Sequence, residues 1–91
     1  MIMMAENRIE LNRREYAILR AVAAGRGTLV ACSEPDLAVD GGWCDHISVH
    51  RLVELGLIEG ERRVPFGQLT LAVVTRLGAA LLLEEGGAMA A

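Results

Sequence analysis

The sequence predicts a mainly α domain with a small β-hairpin: a three-helix core, the hairpin, and a closing C-terminal helix. Three observations predict it. Apolar residues recur at three- and four-residue spacing in two stretches bounded by cap and stop residues, Leu11 to Gly25 and Asp45 to Gly56. Two short runs with strand character flank Val64-Pro65-Phe66-Gly67, a turn sequence. The chain has 91 residues, 53% of them apolar and 23% charged, which is enough for one core and too few for two.

The first helix opens at Leu11-Asn12-Arg13-Arg14-Glu15-Tyr16. Asn12 can accept from the Glu15 amide while Glu15 returns a bond to the Asn12 amide, and Leu11 with Tyr16 can form a hydrophobic staple. Tyr16, Leu19, Val22 and Ala23 continue the apolar stripe and Gly25 stops it, so the helix spans Arg13 to Ala24. After the apolar stretch Leu29 to Cys32, Ser33-Glu34-Pro35-Asp36 reads as a cap with proline in the first turn, which predicts a short helix over Pro35 to Val39. Asp40-Gly41-Gly42 predicts a turn, because glycine adopts backbone angles that cost other residues dearly. Val49, Leu52 and Val53 then share one helical face, and Gly56 ends that helix before buried Leu57 and Ile58. Leu57 to Val64 and Gln68 to Val73 are the hairpin strands. Thr75 can cap the closing helix, whose strong helix formers run to Glu85. Residues 1–10 are thus an N-terminal arm, 11–85 the domain and 86–91 a flexible tail.

The composition excludes several functions. A net charge of -3, with no lysine among the nine cations, belongs to a folded globule and not to a disordered chain. The apolar run Leu77 to Leu83 is far shorter than the roughly 20 residues that span a bilayer, and Met1 to Met4 lacks a secretory pattern, so a cytoplasmic protein is expected. Tyr16, Trp43 and Phe66 are the only aromatics, too few for stacking along single-stranded RNA. Cys32, Cys44, His46 and His50 are ligand types, but no Cys-x-x-Cys knuckle joins the cysteines, so reduced thiols are expected and no metal or other cofactor. No nucleophile with an orienting base is evident, and the chain is read as non-enzymatic.

Leu52-Val53-Glu54-Leu55-Gly56-Leu57-Ile58-Glu59 and Thr75-Arg76-Leu77-Gly78, set in the order helix, short helix, turn, helix, hairpin, helix, resemble the winged helix-turn-helix superfamily over most of residues 11–85. The resemblance implies a third helix entering the DNA major groove and a wing touching the backbone or minor groove. It implies a dimeric transcription regulator, with His46, Ser48 and Arg51 as helix contacts and Arg62 and Arg63 holding the wing. Asp45 stands where that family usually shows an apolar residue.

The charge map opposes the DNA reading. No Arg or Lys lies between Arg26 and Arg51, and Glu34, Asp36, Asp40 and Asp45 set four negative charges where phosphate would come. Those carboxylates, with Trp43 as an anchor, suit a basic protein partner, even a nucleic-acid-binding surface that they would block. In size and charge the chain resembles small acidic phage inhibitors, anti-CRISPR proteins among them. The last helix is apolar nearly all round, so a homodimer through Leu77, Leu81 and Leu82 is also expected.

Overall fold

A computed structural model describes the backbone of residues 9–90, and α1 (Arg13–Ala23) begins as its sequence dictates. The Glu15 amide donates to Asn12 Oδ1 at 2.8 Å, and the Asn12 amide donates to Glu15 Oε1 at 2.9 Å, closing the capping box. Past Gly25, in the left-handed region at φ 82°, come β1 (Gly27–Val30), β2 (Asp36–Val39) and β3 (Gly42–Trp43). They are followed by α2 (His46–Glu54), β4 (Ile58–Gly60), β5 (Leu69–Val74) and α3 (Arg76–Ala90).

The expectation of a mainly α fold with a three-helix core is overturned. The protein is α+β, with one antiparallel five-stranded sheet in the order β3-β2-β1-β5-β4. The stretch read as a short helix, Pro35 to Val39, is strand β2, paired with β1 through Leu29↔Leu37 and Thr28↔Ala38. Its cap signal is outweighed because Leu37, at 1% exposure, gains more from facing the sheet's inner side than a single helical turn would give it. No second helix therefore precedes α2 among the described residues, and the helix-turn-helix arrangement goes with it. The hairpin survives in shortened form: β4 stops at Gly60, so Arg62 and Arg63 lie in the loop between β4 and β5 and not on a strand.

Alternate strand residues explain the layers. Leu29, Leu37, Ile58 and Ala72 face inward and bury against Leu19 and Val22 of α1 and Val49 and Leu52 of α2, with Leu57 completing the core. The opposite face carries the row Trp43, Ala38, Thr28, Leu71, each paired across neighbouring strands. On that outer side Trp43 is 68% exposed, Leu69 60% and Leu71 39%. Thr75 links the last two elements: its hydroxyl donates to the Gly56 carbonyl and accepts from the Gly78 amide, capping α3.

The expected domain of 11–85 is described throughout, and α3 continues to Ala90. Residues 1–8 of the expected arm and residue 91 of the expected tail lie outside the described residues. Among the described residues no helix is long and apolar enough to cross a membrane.

Candidate functional site

Asp45 fixes where the face around α2 begins. Its carboxylate accepts from the Ser48 amide at 3.0 Å and from the Ser48 hydroxyl at 2.7 Å, the arrangement of an N-cap. The Ser48 hydroxyl bond first, and then the amide, hold the Asp45 carboxyl below the usual carboxylate range. Ser48 is consequently buried, and its hydroxyl is committed to the cap.

Arg51, a further polar candidate on the helix, is half-exposed and already paired. Its guanidinium donates to Glu15 Oε1 at 2.7 Å and to the Glu10 carbonyl at 3.1 Å, and Glu15 is itself buried at 3% exposure. The α1 carboxylate that closes the capping box thus also tethers α2. Sequence reading assigned Glu15 to the cap and missed this second bond, because nothing local relates positions 36 residues apart.

Of the four carboxylates only Glu34 and Asp36 meet, at His46; Asp40 lies in the turn after β2 and Asp45 at the start of α2, and each of the four already has a partner. His46 Nδ1 lies 3.0 Å from Asp36 and Nε2 lies 3.4 Å from Glu34. The bond to Asp36 foremost raises the His46 pKa above the ordinary histidine value; desolvation, next in size, opposes it, and the contact with Glu34 adds to the rise. Asp40 pairs with Arg26 at 2.6 Å, and Asp45 has Arg14 at 3.9 Å in addition to its cap. His50 reaches Glu54 at 3.3 Å one turn further on.

The groove beside α2 is lined by Glu34, His46, Ile47, His50, Glu54 and Leu55, with Arg51 at its side. Ile47 is 76% exposed, four positions from the exposed Trp43. Its exposure was legible in principle: it stands about 200° from Val49 on a helix, opposite the buried stripe. Arg62 and Arg63 sit apart from α2, on the loop whose tip presents Phe66, 77% exposed.

On α3, Leu81 and Leu82 are half-buried against the protein's own core, while Leu77 and Leu83 are exposed. The two thiols are free. Cys32 donates to the Glu34 carbonyl at 2.9 Å, and partial burial pushes the Cys44 thiol up. Among the described residues no three His, Cys, Asp or Glu side chains are grouped to hold a metal ion. No family model, curated protein or solved structure matches the chain.

Proposed function

We propose that this is a non-enzymatic regulatory protein that acts by binding another protein at the junction of β3 and α2. The observation that carries the reading is Ile47, 76% exposed on the groove beside α2 and bordered there by Glu34 and Glu54, with Trp43, 68% exposed, four positions earlier on the sheet's outer face. An apolar anchor with an anionic rim fits a partner that offers a pocket edged by Arg or Lys. A nucleic-acid-binding surface has that chemistry, so an inhibitor that occludes one is the specific form proposed. Two free thiols suit a reducing, cytoplasmic setting.

A DNA-binding regulator is the weaker reading because α2 has little left to give a phosphate. Ser48 is spent on Asp45, and the charge of Arg51 is already paired with Glu15. The test compares wild type with a Trp43→Ala, Ile47→Asp variant. Wild-type protein is expected to retain a specific partner with a basic surface, to lose it in the variant, and to leave random duplex unshifted at low salt. Tight duplex binding that collapses as salt rises, with a steep logarithmic slope, overturns the proposal.

We propose in addition that two copies associate through the solvent-facing side of α3, where Leu77 and Leu83 are uncovered.

A further inference from the structure

The imidazole of His46 faces a carboxylate at each nitrogen. Asp36, at the start of β2, meets Nδ1 at 3.0 Å, and Glu34, in the preceding loop, meets Nε2 at 3.4 Å. Ionised carboxylates only accept hydrogen bonds, and a neutral imidazole has one N–H. A neutral ring therefore satisfies one of these contacts and turns a lone pair toward the other anion. Only the imidazolium, a donor at both nitrogens, fits both.

We infer that His46 is a proton-operated clamp: doubly protonated, it holds Asp36 by a hydrogen bond and Glu34 by an ion-pair contact beside the first turn of α2, and on losing a proton it keeps an N–H for Asp36 and loses its attraction for Glu34. The clamp spans three parts of the chain, the β1–β2 loop, β2 and α2. Glu34 and His46 line the same groove as Ile47, His50, Glu54 and Leu55. Around His46 also stand Asp45 just before it, whose carboxylate has Arg14 of α1 at 3.9 Å, His50 with its ring centroid 6.1 Å away, and Arg51 and Glu54 along the same groove. Asp45 favours the imidazolium. His50, when charged, opposes it, but has Glu54 at 3.3 Å to offset its charge.

Both carboxylates favour the proton, and the folded-state pKa of His46 is raised. For a raised cation the stabilisation is fully present below the unfolded histidine value and is lost as pH rises through the folded one. The clamp is therefore shut on the acid side and opens toward the alkaline side. Opening also changes the charge of the face: the cluster of one imidazolium and two carboxylates goes from one net negative charge to two. Resting on the partner-binding reading above, this makes the rim more attractive to a basic partner as His46 loses its proton.

The test is a nitrogen-15 and proton NMR titration of the isolated protein, which requires no partner. The His46 ring is expected to show both nitrogens protonated past the pH at which a free histidine is half titrated. Glu34→Gln and Asp36→Asn are each expected to shift its midpoint downward. Amide exchange over residues 31–36, corrected for its intrinsic pH dependence, should accelerate as His46 deprotonates and should lose that step in His46→Gln. A His46 midpoint at the ordinary value, or one that neither carboxylate variant moves, overturns the clamp; so does loop exchange with no step in the wild type. A clamp that titrates as expected beside a groove that captures nothing would leave this inference standing and remove the partner.

Discussion

Glu15 shows how much one residue can carry. It is buried to 3% exposure, closes the capping box of α1 and anchors Arg51 of α2, so three parts of the fold meet at one carboxylate. Glu15→Ala removes the returned cap bond and leaves Arg51 without its inward partner. A loss of about 2–3 kcal/mol is expected in urea unfolding. Glu15→Gln keeps an oxygen for the Asn12 amide and loses the ion pair, so it should fall between wild type and Ala; an Ala variant as stable as wild type would contradict this role. The same residue marks the limit of sequence reading at the site. The cap function lies three positions away and was legible. The bond to Arg51 depends on α1 packing against α2, and the seating of Glu34 and Asp36 on His46 on α2 packing against β2, and no local spacing encodes either.

Elements follow the same division. α1, α2, the Gly56 stop and the Thr75 cap are written in short-range signals, and each stands where its residues place it. β2 was misread because Asp36-Leu37-Ala38-Val39 is only four residues long, too short for periodicity to outweigh a Ser-x-Pro start signal. A signal for the correct reading did exist. Asp40 and Gly41 both have positive φ, 53° and 84°, and they join Val39 to its pair Gly42, which makes Asp-Gly the two-residue loop of a type I′ hairpin. Reading that dipeptide as a hairpin loop instead of a general break converts its flanks into strands. Gly78 supplies the prediction at this scale. Exchange of glycine for alanine inside a helix ordinarily gains about 1 kcal/mol. Here an added Cβ would collide with the Leu57 carbonyl, because α3 lies directly on the backbone entering β4. The sign should reverse: Gly78→Ala is expected to cost about 3 kcal/mol, measured by urea or thermal unfolding. A neutral or stabilising result would mean that α3 does not sit so close.

At the scale of the whole molecule, the proposed self-association has a definite geometry. At 100° per residue, Arg76, Leu77, Ala80, Leu83 and Glu84 fall within about 60° of the direction of Ala80, and all five are exposed. The stripe is self-complementary. A two-fold axis passing at Ala80 lays two α3 helices antiparallel, sets Leu77 against Leu83 of the second copy, and brings Arg76 to Glu84 at both ends. Alanine at the crossing lets the helices approach closely. A pair of short helices buries less than a standard stable interface, so the association should be weak and concentration-dependent. Light scattering at rising concentration is expected to show the mass climbing from one chain toward two. Arg76→Glu should hold it at one by placing like charges at both ends, and Arg76→Glu with Glu84→Arg should restore the climb, because the swap recreates each pair in reverse. Exposed ion pairs are individually worth little, but the two-fold counts each substitution twice. Restoration by the double exchange separates this register from any contact that merely uses the leucines. A single-chain mass for wild type at every concentration, or equal association in the single and double variants, rejects it.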